Sequence, residues 1–404
     1  MGIVSMSDPL APVAGGITPD VIAYLTNLET LSPALVGLRI GGNDTSGEWT
    51  QEQLGGKPFQ FLALLGIPPE QEHGRRFPIA PRFLFLLFRH WDAIIRHCAS
   101  LHVCRVELAL PFVLLPHRRP LVVNIRGASK FLDSSFKHVF YDLPGAKWLY
   151  RQLEKYILKR ADAVVVVSEE GYRYYLQRLP CLKDRLLLIP PSVDTDLFHP
   201  SEEAGPRGKY GLPLRSKLLV YAGRFVREKR VDAVIHSLSL VRRAFPDAAL
   251  VLIGDGPENQ HLRQIAPGDG SVLFMGTLGR DKVAEVISCC DVAVLFSMFE
   301  GMPMFVLESL ACGLPVVSTN VGDVSKVVID GATGYVVRSA TAEALAAAVV
   351  NTLELPSPAE NCRRMVTKYG SKYITREVEK LHIMLQERHR YANSLDIIRK
   401  HTRN

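Results

Sequence analysis

Residues 291–317 read DVAVLFSMFEGMPMFVLESLACGLPVV, and the order of elements within them decides the fold. The apolar run 292–296 lies between Asp291 and Ser297, a pattern that suits a buried strand of a parallel sheet. Glu300 and Gly301 fall in the turn that follows. Pro303 suits the first position of a helix, and Phe305, Val306, Ser309 and Leu310 recur at helical spacing, which puts Glu308 on the helix body. Gly313 stops that helix, and Pro315 opens a second strand over 316–318.

A strand, a loop of free backbone amides and a helix whose N-terminus points toward the sheet end make a place for an anion. Orphan N–H groups and the helix dipole favour phosphate there, while Glu300 and Glu308 offer acceptors to hydroxyls. Phosphate and polyol together suggest a nucleotide sugar.

The same residues carry a resemblance. Glu300-x7-Glu308, inside E-G-M-P-x-x-x-L-E-S-L-A-C-G-L-P-V-V, resembles the EX7E signature of the family 4 retaining glycosyltransferases, which have the GT-B fold. A bare EX7E arises often by chance; its strand, turn and helix context, with Gly301 and Gly313-Leu314-Pro315 in place, makes it specific. The competing reading is a buried βαβ unit whose glutamates are a cap and a solvated face.

At 404 residues the chain exceeds one ordinary core, and 47% hydrophobic with 22% charged residues is the composition of a globular protein. No apolar run is long enough to span a bilayer. The N-terminal MGIVSMSDPLAP lacks the basic and apolar regions of a signal peptide, and Met6 breaks a myristoylation pattern. Seven cysteines without paired spacing fit a reducing cytoplasm, and none clusters with other metal ligands.

A net charge of +7 calls for an anionic partner. The excess is local: between Arg75 and Lys130 there are ten Arg or Lys against Asp92 and Glu107. Interleaved with Phe83, Phe85, Phe88 and Trp91, this region reads either as a surface for anionic membrane or a lipid-linked diphosphate acceptor, or as a solvated basic face over core helices. No nucleic-acid-binding motif appears.

Taken in order, 3–6 is a short strand and a helix resumes at Pro19, with Val21, Ile22, Leu25 and Leu28 on one face. Gly15-Gly16 lies between them, where glycine lets backbone approach a ligand closely; it resembles the family's glycine-rich first loop. Residues 31–69 show turn clusters at 41–44 and 55–57 but no legible pattern. Strands follow at 120–125, 163–167 and 186–189. Arg126 stands where family members commonly place a histidine, and an arginine there suits phosphate or carboxylate. The segment 190–198 resembles the P-N-G-V-D-x-x-x-F hinge with Pro191 and Ser192 replacing Asn and Gly; its Asp194-Thr195-Asp196 also spells a metal-binding triplet of a different transferase fold.

Strand 217–222 then runs into G-R-F-V-R-E-K-R, which resembles the family's G-R-x-x-x-x-K-G with Arg230 in place of the last glycine. Two fixed cations, Arg224 and Lys229, suit a diphosphate. Strands at 249–253 and 272–275 end near Gly254 and Leu278, which flank the nucleobase in the family. Helices begin at Ala342 and Thr375.

The alternation of strands and helices predicts two doubly wound, Rossmann-like α/β domains facing a central cleft, the GT-B arrangement. The expected boundaries are 1–198, an acceptor-side domain; 199–375, a nucleotide-sugar domain; and 376–404, a helix crossing back to the first. The resemblance implies a hexosyltransferase that needs no metal and no cofactor beyond its nucleotide-diphosphate sugar, acting on a glycan or lipid-linked acceptor in bacterial cell-surface polysaccharide synthesis, in the cytoplasm or at the inner face of the plasma membrane. It makes Glu300, Arg224 and Lys229 the catalytic set. Gly15, Gly16, Gly254, Leu278, Gly301, Met302, Pro303, Met304, Phe305 and Glu308 become the donor-binding set, and Arg126 an acceptor contact. A sugar-nucleotide epimerase of the same fold, a glycan phosphorylase and a non-catalytic nucleotide-sugar scaffold are the rivals.

Overall fold

A computed structural model of the chain describes residues 1–11, 17–41, 47–67, 79–126, 145–201 and 207–401, with side chains described up to residue 392. The chain divides into two compact units that change over at Pro190/Pro191 and Ser371/Lys372. These changes fall before the boundaries expected at 198/199 and 375/376. Val193 and Phe198 belong to the core of the second unit, and the last helix turns into the first unit from its second residue on.

The first unit contains β1 (Gly2–Val4), α1 (Thr18–Asn27), β2 (Ala34–Ile40), β3 (Trp49–Leu54), β4 (Lys57–Ile67), α2 (Ile79–Arg89), α3 (Trp91–His97), β5 (Leu101–Val103), α4 (Leu110–Leu114), β6 (Leu121–Ile125), α5 (Ala146–Leu158), β7 (Ala163–Val166), α6 (Glu169–Arg178) and β8 (Leu186–Leu188). Its eight strands lie in the order β3-β4-β2-β1-β5-β6-β7-β8. All neighbours are parallel except β3, which pairs antiparallel with β4. That hairpin accounts for about half of the stretch 31–69 that shows no pattern in the sequence. Leu54 pairs with Lys57 across Gly55-Gly56, whose φ values of 57° and 76° give the two-residue turn that matches strand twist.

The second unit contains β9 (Leu218–Ala222), α7 (Val231–Val241), β10 (Ala249–Ile253), α8 (Asn259–Ile265), β11 (Val272–Gly276), α9 (Arg280–Ser288), β12 (Val292–Leu295), α10 (Met304–Ala311), β13 (Val316–Thr319), β14 (Gly334–Val337), α11 (Ala342–Leu353) and α12 (Ala359–Val366). Its six strands are all parallel, in the order β11-β10-β9-β12-β13-β14. Both faces of such a sheet must be covered, so the strands are near-continuously apolar: every residue of β10 and β12 is buried. Helices α7, α8 and α11 pack as one group and α9, α10 and α12 as another.

α13 (Ser371–His401) returns to the first unit. Strand residues there alternate between two faces, as a period of two requires. Val123, Val164 and Val166 enter one core, while Val122 and Val165 join Leu381 and Leu385 of α13 in another. Polar contacts fix the helix in register. Glu379 accepts from the amides of Thr30 and Leu31, both at 2.7 Å, and His389 Nε2 lies 2.8 Å from Asp162. His382 lies 3.2 Å from His102 and 2.9 Å from Ser100 Oγ. Both rings are fully buried, and desolvation holds His102 down at about 4 and His382 well below the usual imidazole range.

Candidate active site

In the second sheet the chain leaves β9 toward β10 and leaves β12 toward β13, in opposite directions. The carboxyl ends of β9 and β12 therefore bound the switch point, where a doubly wound sheet opens a crevice. The loop after β9 and the loop after β12 meet there: the amide of Met298 donates to Glu228 O at 2.8 Å, and Lys229 Nζ pairs with Glu300 Oε1. Ser297 Oγ donates to the same carboxylate oxygen at 2.9 Å, and Thr319 Oγ1 donates to Ser297 O at 2.7 Å. The ion pair is largely enclosed, with side-chain exposures of 28% for Lys229 and 15% for Glu300.

The loop after β9 rests on aromatic rings. Tyr221 and Phe225 are fully buried, Tyr221 lies edge-on to Phe305 at 5.9 Å, and its hydroxyl donates to Arg224 O at 3.1 Å. Arg224 is exposed at the end of this strand. Gly254 has a steric reason of its own. A Cβ there would lie 2.0 Å from Gly223 O, at a φ of 133°, so the β10 end closes tightly on the β9 end. Leu278 packs partly buried against the core just beyond β11.

Pro303 is the N-cap of α10 and not its first residue: its ψ of 126° is extended, and Met304 begins the helix. No side chain caps this end. Val306 N donates to Pro303 O at 3.2 Å, while among the described residues no acceptor meets the amides of Met304 and Phe305. Met302 is buried, and Gly301 O accepts from Asp323 N at 2.8 Å. One turn into the helix, Glu308 is half-buried, and desolvation raises its carboxyl to about 7 against the opposing pull of Arg280.

Glu300, Lys229, Arg224 and the α10 amides are thus gathered at the ends of neighbouring strands of one sheet. Gly15 and Gly16 lie outside the described residues, as do Arg75, Arg76 and Lys130 of the basic run. Arg126 belongs to the first unit, where it ends β6 and forms an ion pair with Asp20 in the first turn of α1; burial lowers its guanidinium to about 10. Asp194 Oδ1 accepts from the amides of Asp196 and Leu197, both at 3.1 Å, which makes the Asp-Thr-Asp triplet a turn. Among the described residues no three His, Cys, Asp or Glu side chains are grouped to hold a metal ion.

In the basic aromatic region Phe83 is core, and Arg96 and Arg105 pair with Asp92 and Glu107. Arg82, Phe85 and Arg89 stay exposed on α2. Two residues of the site escape the sequence reading. Ser297 is legible only as the polar residue closing an apolar strand, and Arg280, 28 positions from Glu308, carries no local signal.

Two family models match the chain: one described as Glycosyl transferases group 1, over residues 206–372, and one described as Glycosyltransferase Family 4, over 50–197. An N-acetyl-alpha-D-glucosaminyl L-malate synthase of Bacillus anthracis is 28% identical over 186 residues, covering 45% of this chain and 48% of that protein. A GDP-mannose-dependent alpha-(1-6)-phosphatidylinositol monomannoside mannosyltransferase of Mycolicibacterium smegmatis is 34% identical over 183 residues, covering 42% and 47%. The chain spans about half the length of the curated relatives it matches. Among solved structures, the sucrose-phosphate synthase of Thermosynechococcus elongatus superposes with a TM-score of 0.74 at 21% identity, over 95% of this chain and 98% of that one. Anabaena HepE in complex with UDP and glucose gives 0.70 at 17% identity, over 94% and 98%. The likeness to these structures establishes the fold.

Proposed function

Because the chain belongs to the family 4 glycosyltransferases, we propose that it moves a sugar from a nucleotide-diphosphate sugar to a glycan or lipid-linked acceptor, with retention at the anomeric carbon and without a metal ion. The observation that carries this reading is the Lys229–Glu300–Ser297 cluster at the switch point, beside the uncapped start of α10.

In the free protein Lys229 and Glu300 satisfy one another. An incoming diphosphate carries more charge than a carboxylate and competes for Lys229, joined by Arg224 and the amides of Met304 and Phe305. Glu300 is then released to accept hydrogen bonds from hydroxyls of the transferred sugar, while Glu308 accepts from the ribose hydroxyls. As the bond from the anomeric carbon to the phosphate oxygen breaks, negative charge grows on the leaving diphosphate. Arg224 and Lys229 stabilise it there, and the departing phosphate oxygen takes the proton of the acceptor hydroxyl that attacks from the same face. Gly254 and Leu278 border the nucleobase at the β10 and β11 ends, Met302 and Pro303 hold the loop that presents Glu300, and Arg126 contacts the acceptor in this scheme.

The proposed setting is cell-surface polysaccharide synthesis on the cytoplasmic side, with peripheral contact to anionic membrane through Arg82, Phe85 and Arg89 of α2. No helix among the described residues is long and apolar enough to cross a membrane.

The test is nucleotide release by the purified chain from UDP-, GDP-, dTDP- and ADP-sugars, with and without EDTA. Slow hydrolysis of one donor, unchanged by EDTA, is the expected result and names that donor. Binding of a donor with no nucleotide released, with or without acceptors, would replace the transferase reading by that of a scaffold.

A further inference from the structure

Ser297 lies just beyond β12 and is 1% exposed. Its spacing to Glu300 has an ordinary reading, since Ser-x-x-Glu is the pattern of a helix capping box, in which both side chains bond to backbone amides. The structure has no helix there. α10 begins only at Met304, and Ser297 Oγ donates instead to the Glu300 carboxylate.

The backbone around Glu300 is held on both sides by the segment at the end of β13. Thr319 Oγ1 donates to Ser297 O at 2.7 Å, and the amide of Asp323 donates to Gly301 O at 2.8 Å. Gly322, at a φ of 52°, packs so close that a Cβ on it would lie 2.6 Å from Glu300 O. With its main chain fixed, Glu300 keeps only its side-chain torsions. Two donors hold those: Lys229 Nζ, and Ser297 Oγ at 2.9 Å. Both reach Oε1, and among the described residues no donor reaches Oε2.

The two donors are not equivalent. Lys229 is a cation on a flexible stem, for which a diphosphate competes. The Ser297 hydroxyl is neutral and buried, and its residue is anchored through its own carbonyl. Once Lys229 turns to phosphate, Ser297 is the tie that remains on Glu300. We propose that Ser297 is a positioning residue, which pins Glu300 by Oε1 so that Oε2 is the oxygen presented to the hydroxyls of the transferred sugar. Thr319 holds Ser297 in place for this. The inference rests on the transferase reading, in which Glu300 receives the sugar. A carboxylate fixed by one oxygen meets a hydroxyl from one direction, and one free to turn loses that alignment.

The experiment is a double-mutant cycle of Ser297→Ala and Glu300→Ala in the full chain. Nucleotide release is measured from UDP-glucose, GDP-mannose, dTDP-glucose and ADP-glucose, and affinities for these and for UDP, GDP, dTDP and ADP are measured by calorimetry. Ser297→Ala should lower release at saturation about tenfold, the worth of one hydrogen bond to a charged group. The affinity for the bare nucleoside diphosphate should not change, because that ligand brings no sugar to Glu300. In the Glu300→Ala background Ser297→Ala should do nothing further, which a merely loosened loop would not give. Thr319→Val should reproduce part of the loss, and Thr319→Ser, which keeps the hydroxyl, should recover it. Equal losses in both backgrounds, or a matching loss of nucleoside diphosphate affinity, would overturn the positioning role. Where a donor binds without release, the cycle is read in its affinity relative to the nucleoside diphosphate: coupling supports the role and additivity overturns it. A chain that binds none of these nucleotides loses the transferase reading and the role of Ser297 with it; one that releases nucleotide but shows additive losses loses only the role of Ser297.

Discussion

The two units treat their buried polar groups differently. In the first, they are tied to one another: Arg126 to Asp20, His102 to His382, and Glu379 to the amides of Thr30 and Leu31. The second gathers charge at its strand ends, with Arg224 exposed, Lys229 and Glu300 paired in a largely enclosed cluster, and the first amides of α10 unmet among the described residues. Two sheets of similar winding thus differ in what their polar side chains are for. The first uses most of them to fix register, and in the proposed reading the second holds them for an anion.

The sharpest break is Asp20→Ala. It takes the carboxylate from the buried Arg126–Asp20 pair, and removing one partner of such a pair costs about 3–5 kcal/mol. All three tryptophans, Trp49, Trp91 and Trp148, lie in the first unit, so the loss should appear as a lower urea midpoint by tryptophan fluorescence while amide exchange of β9 to β14 is unchanged. An unmoved midpoint would mean the pair is not structural.

Lys229→Ala should act the other way round. Losing a donor aimed at transition-state charge lowers turnover about 100- to 1,000-fold, whereas a partly exposed ion pair contributes at most about 1 kcal/mol to stability. If donor affinity alone fell, with turnover at saturation unchanged, the assignment of Lys229 to the leaving diphosphate would be wrong.

Acid should separate the units. Burial lowers His102 from 6.5 to about 4, so the unfolded chain takes up protons first, and the first unit loses stability as pH falls from 6.5 toward 4. Burial raises Glu308 from 4.5 to about 7, so the second unit is favoured at low pH and loses that contribution as pH rises from 4.5 through 7. Urea midpoints by fluorescence should drop between pH 7 and 5 while exchange protection in β9 to β14 rises. Glu308→Gln should flatten the second trend and leave the first.

The smallest effect belongs to Arg230→Gly. Relief of the left-handed backbone is worth about 1 kcal/mol, and the lost stacking on Phe296 offsets a similar amount, so thermal unfolding should shift by no more than a few degrees. A loss of several kcal/mol would show that the stacked guanidinium is a structural pin.

The unequal legibility of the two units has the same origin. Residues 291–317 are readable because their strand is apolar throughout and their turns fall on Gly and Pro, all local signals. The hairpin of β3 and β4 is not, because WTQEQL is a mostly polar edge strand with no buried residue to mark it. Arg126 reads as a free cation in sequence because its partner, Asp20, lies 106 positions earlier. Pro303 reads in sequence as the first helical residue, the position that proline favours, and only its extended ψ of 126° makes it the N-cap. The left-handed turn at Arg230 gives a physical reason for the glycine that the resembled motif places there.

The return of α13 to the first unit sets an order of events during synthesis. Residues 191–371 form a contiguous unit and can close as soon as they leave the ribosome, whereas the first unit, made earlier, lacks Val378, Leu381 and Leu385 until the end. Val122, Ala163 and Val165 must wait uncovered through the making of the whole second unit. The half of the chain born first is the half completed last, and any chaperone that attends this protein should be found on its nascent N-terminal sheet.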